Sequence, residues 1–216
     1  MDPVAKLPVC VFAKPPVPGE VKTRLIPVLG AEGAAQLAAA FLEDTWSLVS
    51  TLGWALPVLA SPVPWPSGLA PQGARVWLQG DGDLGARMET ILTRALTEGP
   101  MVFALGADVP GLPRAFLESS PEALAQVDAL FGPSEDGGFY LLGTRRMSRG
   151  WLAGLPWSRP DTLLRCEQRL ESMGLNTTRV ETFFDVDTPE DLERLRSRLR
   201  AGELEAPATR RLLATL

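Results

Sequence analysis

The apolar positions of this chain fall into short continuous runs separated by longer stretches of helical spacing. Residues 7–13, LPVCVFA, are almost wholly apolar and rich in β-branched side chains, the pattern of a strand buried on both faces. Over residues 31–52 the period lengthens, and Leu37, Phe41, Leu48 and Leu52 mark one side of a long amphipathic helix. Residues 54–60 read as a second strand, residues 61–73 as a proline-rich loop and residues 75–78 as a short third strand. The turn QGDGDLG then opens a helix over about 84–97. Residues 101–106 form another buried strand, ending at Asp108. Beyond it the pattern predicts a helix over 113–126, strands over 128–131 and 139–142, a helix over 161–173, an extended segment over 178–184 and a helix over 189–200. The tail from Gly202, charged and then apolar, either packs on the body or frays.

Strands alternating with helices of this length predict βαβ units: an α/β fold with a single mostly parallel sheet and helices on both faces, Rossmann-like in layering. No internal repeat and no linker divides the chain. One domain is therefore expected over residues 1–216, with a core at about 8–200 and a C-terminal tail over 201–216. In such sheets ligands bind beyond the carboxyl ends of the strands, and the polar motifs of this sequence fall there.

Composition removes several chemistries. The chain has no His at all, which excludes Ser-His-Asp and Cys-His catalysis, histidine metal sites and imidazole bases. Its net charge of −5, without a basic tract or tail, argues against nucleic acid as a partner. Cys10 and Cys166 lie far apart in no redox or metal spacing, and Cys10 falls in a strand as a small core residue. No signal peptide precedes the first strand, and no apolar run approaches the roughly 18 residues needed to span a bilayer, so the protein is expected to be cytoplasmic, with no membrane span. Oligomeric state is left open; Trp65 and Trp157, in proline-rich loops, suit an interface or an acceptor pocket. What remains for chemistry is carboxylates, Lys, Arg, hydroxyls and a divalent cation held by oxygen.

Four segments offer those groups. After the first strand comes KPPVPGEVKTRL, where Gly19, Lys22, Thr23 and Arg24 are either a solvated surface turn or a loop that holds an anion by charge and free backbone N–H groups. It is neither GxGxxG nor GxxxxGK[ST]. At the end of a buried strand, Asp108 either closes the following turn or ligates Mg²⁺ or Mn²⁺. In FFDVDTPEDL, Thr188, Pro189, Glu190 and Asp191 are accounted for as the start of a helix. Asp185 and Asp187 are not; at alternate positions of an extended segment they share a face and would repel without a cation. Magnesium takes one or two carboxylates plus phosphate oxygens, which Asp108 with Asp187, and Asp185, would satisfy. In GDLGARM, Asp83 suits a helix cap, Gly85 a close backbone approach and Arg87 a nucleotide or phosphate. In GPSEDGGF, Asp136, Gly137 and Gly138 form either a hairpin loop or an acceptor-side loop in which Asp136 orients a hydroxyl or removes its proton.

Taken in order, VFAKPPVPGEVKTRL, GDLGARM, LGADVPGLP, GPSEDGGFYLLG, LPWS and DVDTPEDL resemble the bacterial glycosyltransferase-like family DUF2064, also called transferase 1 of the rSAM/selenodomain-associated group. The resemblance spans residue 8 to about residue 200. It implies the GT-A, nucleotide-diphospho-sugar transferase fold, shared with nucleotidyltransferases. It also implies that Gly19, Lys22 and Arg24 belong to the nucleotide- and phosphate-binding loop and that Asp108 and Asp187 are the metal ligands. Two departures stand out: Asp108 is followed by Val109 and Pro110 where GT-A glycosyltransferases usually carry DxD, and the first loop is proline-rich where nucleotidyltransferases of this fold use glycine.

The expected function is a metal-dependent transferase with a nucleotide-activated donor. The first reading moves a sugar from a nucleotide sugar to a small-molecule acceptor, with Lys22 offsetting phosphate charge and Asp136 as base. The alternative is a nucleotidyltransferase that joins an NTP to a phosphorylated metabolite and releases pyrophosphate. A non-catalytic nucleotide sensor with the same fold is the third reading.

Overall fold

The computed structural model describes residues 6–216. Among these residues seven strands form one sheet: β1 (Leu7–Phe12), β2 (Ala55–Ser61), β3 (Val76–Leu78), β4 (Val102–Gly106), β5 (Ala129–Pro133), β6 (Phe139–Thr144) and β7 (Thr177–Arg179). Their order is β3-β2-β1-β4-β6-β5-β7, and all neighbours are parallel except that β6 runs antiparallel to both β4 and β5. Among the described residues the α-helices are α1 (Ile26–Thr51), α2 (Leu84–Ala95), α3 (Arg114–Glu118), α4 (Ser120–Leu124), α5 (Thr162–Ser172), α6 (Pro189–Arg200) and α7 (Pro207–Leu213).

Strand alternation sorts the side chains into two cores, one on each face of the sheet. Val9, Val11, Leu59, Phe103, Leu105 and Leu130 pack beneath α1 and α6, where Leu37, Phe41, Leu192 and Leu195 meet them. Cys10, Val58, Ala104, Phe131 and Leu142 face the other way, onto Met88, Ile91 and Leu92 of α2 and Leu163 and Cys166 of α5. Each fully buried Leu, Val or Phe contributes roughly 1.5–3 kcal/mol, so these cores define the register of the central strands. Burial pushes the Cys10 and Cys166 thiols up to about 12, and both are inert core groups.

Three expectations change. The helix predicted over 113–126 is two short helices, because Pro121 has no N–H to continue the hydrogen-bond ladder onto the Leu117 carbonyl. The segment over 178–184 is a strand only at its start; beyond it a single bridge joins Phe183 to Ser134. The tail does not fray: α7 docks on α1, where the buried Asp44 carboxylate accepts from the backbone N–H groups of Ala208 and Thr209 and from the Thr209 hydroxyl at 2.6–2.9 Å. The helix running from Thr23 to Thr51 is also long and apolar enough to cross a membrane by length and composition, against the expectation from the sequence. It lies on the sheet as the principal core helix, interrupted at Gly30 (φ 70°, ψ 169°).

The carboxyl ends of β1 to β5 and the beginning of antiparallel β6 lie along one edge of the sheet. The loops leaving Phe12, Leu78, Gly106 and Pro133 meet there, joined by the segment leading into α6.

Candidate functional site

Two adjoining cavities open along this edge and share Phe12, Leu84 and Asp108 in their walls. They differ in chemistry.

The first, about 500 Å³, lies over the ends of β1, β2 and β3. Its wall carries Lys14, Lys22, Arg24 and Arg87 together with Glu20, Asp108 and Asp187. Lys22 holds a left-handed backbone (φ 46°, ψ 42°), a conformation that costs a non-glycine residue about 1–3 kcal/mol. That backbone turns the chain into the 3-10 turn Thr23–Leu25 and sends the Lys22 side chain inward, where it is only 5% exposed. Its ammonium passes 5.8 Å from the Phe41 ring centroid and ends between two carboxylates: Asp108 Oδ2 at 2.9 Å and Asp187 Oδ1 at 3.4 Å. Arg24 donates to the other oxygen of Asp187 at 2.8 Å. The two acidic segments are tied through the main chain, since the Val186 N–H donates to the Asp108 carbonyl at 3.1 Å. Arg87, on the first turn of α2, has its Nε buried and without a hydrogen-bond partner. Thr23 is exposed in the wall, whereas Gly19 sits outside it at a turn with φ +85°.

The second cavity, about 240 Å³, lies over the ends of β4, β5 and β6. Met88, Val109, Phe139, Tyr140 and Trp157 line it, with Asp136, Asp185, Ser134, Thr162 and Arg159 as its polar members. Asp136 closes its own turn, with one carboxylate oxygen accepting the Gly138 N–H at 2.8 Å. Burial foremost pushes the Asp185 carboxyl up to about 6, and the nearby charges of Asp136 and Asp187 act in the same direction against Lys22. The indole N–H of Trp157 is buried without a partner.

Site residues predicted from sequence are thus divided between the cavities. Asp185 and Asp187 line different ones, so the shared face expected from alternate positions does not hold; the chain there is irregular rather than a strand. Gly138 lines the second cavity, but Gly137 is a packing position: with φ +88°, any Cβ would lie 1.9 Å from the Pro160 carbonyl oxygen. Gly85 is likewise a packing position rather than a point of ligand approach, since a Cβ would lie 2.1 Å from the Leu152 carbonyl oxygen. Asp83 caps α2 as expected, accepting from Ala86 N–H, and also holds the Gly154 N–H at 2.7 Å; these bonds keep its carboxyl below the usual range.

Sequence reasoning missed Glu89. Buried on α2, its carboxylate accepts the backbone N–H groups of Gly150, Leu152 and Ala153 at 2.6–3.1 Å and so anchors the loop that carries Trp157. The signal was present, because Glu89 interrupts the buried stripe Gly85, Met88, Ile91, Leu92 and Ala95, where a charge needs partners.

Whether this edge suits a divalent cation turns on Asp108 and Asp187. Among the described residues no group of three or more His, Cys, Asp or Glu forms a cation cage. Two carboxylates brought onto one positive charge are nevertheless the donor set a magnesium ion uses when phosphate oxygens and water complete its shell, so these residues fit.

Residues 55–159 match the family model described as "Uncharacterized protein conserved in bacteria (DUF2064)". That stretch contains Arg87, Asp108, Asp136 and Trp157 and leaves out Lys22, Arg24, Asp185 and Asp187. No curated protein matches the chain. Among solved structures, a Desulfovibrio desulfuricans G20 protein described as a "putative nucleotide-diphospho-sugar transferase" is 29% identical, with a TM-score of 0.85 over 96% of this chain and 94% of its own. CMP:2-keto-3-deoxy-manno-octonic acid synthetase, in complex with CTP, is 16% identical with a TM-score of 0.61 over 92% of this chain and 100% of its own. Rv0371c of Mycobacterium tuberculosis H37Rv, in complex with manganese, is 16% identical with a TM-score of 0.52 over 88% and 98%. The fold is that of the nucleotide-diphospho-sugar transferases and cytidylyltransferases.

Proposed function

We propose that the protein is a metal-dependent glycosyltransferase that moves a sugar from a nucleotide sugar to a small hydroxyl acceptor. One observation carries the reading: a cation-lined cavity and a carboxylate- and aromatic-lined cavity meet at Asp108, which Lys22 ties to Asp187 on the first side.

In this reading the nucleotide enters the first cavity, and its diphosphate lies against Lys22, Arg24 and Arg87. The unpartnered Nε of Arg87 is a donor awaiting an acceptor, which a phosphate oxygen supplies. Asp108 and Asp187 would hold Mg²⁺ or Mn²⁺, which supplies neutralisation of the diphosphate leaving group; a complex of the distant relative Rv0371c with manganese is consistent with that. Lys22 and Arg24 offset the charge that grows on the diphosphate as the glycosyl bond breaks. On the far side, Asp136 and Asp185 face the space where a hydroxyl would stand, and a carboxyl raised to about 6 is suited to accept its proton near neutral pH. We assign the base to this pair, with Asp136 the exposed member.

Nucleotidyl transfer is the second reading, favoured by the likeness to a synthetase complexed with CTP. It needs a phosphorylated acceptor beside the donor, and the second cavity sets Asp108, Asp136 and Asp185 against Arg159 alone. That charge balance weighs against it.

The test is calorimetry with a panel of nucleotide sugars and NTPs, with and without Mn²⁺, on the wild-type protein and Asp108→Ala. Glycosyl transfer predicts metal-dependent binding of a nucleotide sugar, at least about tenfold weaker in the variant, and no pyrophosphate released from NTPs. Release of pyrophosphate would select the second reading. Equal binding by wild type and variant would remove Asp108 from the site.

A further inference from the structure

The second cavity has a wall whose composition specifies more than a place for an acceptor. Phe139 and Trp157 meet edge to face, with centroids 6.1 Å apart, and Met88 packs in the same apolar cluster beside them. Three carboxylates, Asp108, Asp136 and Asp185, stand in that wall, and behind it the Trp157 indole N–H is buried without a partner. The cation in the wall is Arg159, which is exposed and stands 3.6 Å from Asp161, a carboxylate that Arg165 holds at 2.7 Å.

We infer that this cavity is the acceptor subsite and that it takes a neutral alcohol with a flat apolar face, a sugar ring or an aryl group, in preference to any phosphorylated or carboxylated compound. The inference rests on the transferase reading, which is what makes a second substrate necessary. Carboxylates have lone pairs but no protons to offer, so they bind groups that donate, and hydroxyls do. An acceptor anion would meet three carboxylates in a partly desolvated space with the exposed Arg159 as the only cation in the wall among the described residues, so the balance is against it. An aromatic wall stacks against a flat apolar face, and the buried indole N–H gains the acceptor it lacks from a hydroxyl or ring oxygen. Each feature of the wall thus selects the same class of molecule.

Trp157 also provides the readout. In ¹⁵N spectra of the full chain its indole N–H gives one resonance among those of the tryptophans, assigned by its loss in Trp157→Phe. Phenyl β-glucoside, a neutral aryl alcohol, should shift that resonance, and phenyl phosphate at the same concentration should leave it in place. Trp157→Ala should weaken phenyl glucoside binding by at least about tenfold in calorimetry, and Trp157→Phe, which keeps the flat face and loses the donor, by a smaller factor. A resonance moved by phenyl phosphate as readily as by the glucoside overturns the inference. So does a glucoside that leaves it unmoved, or that binds Trp157→Ala as it binds wild type. If the wild-type protein binds no nucleotide with Mn²⁺, the transferase reading fails alone, because the aryl titrations read the cavity without a donor.

Discussion

The two halves of the binding edge solve opposite problems. Over β1 to β3, charged side chains converge and neutralise one another: Lys22 joins Asp108 to Asp187, and Arg24 covers what is left of Asp187. Over β4 to β6, carboxylates face an apolar wall without a matching cation, and the shape of that wall depends on a loop held from behind by α2. The first half is therefore organised by electrostatics and the second by packing. Long charged side chains adapt to a ligand as it arrives, whereas aromatic faces must already be in place. Perturbing packing should cripple the second half, and perturbing charge the first.

The largest effect is expected from the close approach of α2 to residues 150–155. Gly85→Ala puts a methyl group 2.1 Å from the Leu152 carbonyl oxygen, a backbone atom that cannot swing aside. A loss of about 3 kcal/mol or more is expected, lowering Tm by about 6–12 °C in calorimetry. Glu89→Ala comes next. It leaves three backbone N–H groups without their acceptor, at a cost of about 3 kcal/mol if partial hydration is allowed for, read as a shift in the urea midpoint. In both variants the aryl ligands of the second cavity should lose affinity by a larger factor than nucleotides lose in the first. Equal losses would mean that the two halves are not separately organised.

A smaller effect with a definite sign comes from Asp185. Because its carboxyl is raised to about 6 in the folded protein, the native state binds more protons than the unfolded chain between about pH 4 and pH 6. The stability associated with the protonated form is complete below that window and is lost as pH rises through about 6. Asp185→Asn removes the loss. In EDTA the variant should match wild type at pH 4 and exceed it by about 1–2 kcal/mol at pH 7, a figure reduced from the full shift because the group is only partly buried. Urea denaturation at the two pH values measures it, and a variant less stable than wild type at pH 7 would show that the ionised carboxylate is held by favourable contacts.

The halves also differ in how far they could be read from sequence. Strand runs, helix periods and the DVDTPEDL capping pattern predicted nearly every element, because burial on two faces leaves a continuous apolar signature and a capping box a local one. That Lys22, Arg24, Arg87, Asp108 and Asp187 line one cavity could be anticipated, because each falls in a loop or a first helical turn near the carboxyl edge of the sheet. The roles of Gly85, Gly137 and Glu89 were not. Each meets a partner distant in sequence (Leu152, Pro160 and residues 150–153), and a local pattern carries no information about what packs against it. The placement of Asp185 was lost for a related reason, since period-two reasoning applies to a regular strand and the chain before α6 is not one.

Ionic strength gives the mildest perturbation and the most direct comparison of the two halves. Raising salt from 0.1 M to 1 M shortens the screening length from about 10 Å to about 3 Å, which weakens attraction between exposed charges and leaves apolar contact intact or slightly stronger. Arg24 is 70% exposed and Lys14 is exposed, so their pull on a diphosphate is open to screening, although the buried ammonium of Lys22 is sheltered. Nucleotide affinity should therefore fall by about tenfold across that range without vanishing. Phenyl glucoside, neutral and held against Trp157 and Phe139, should change by less than about twofold in the same titrations. A parallel fall for both ligands would place the glucoside in the cationic cavity, and the division of the edge into a charged half and an apolar half would not survive it.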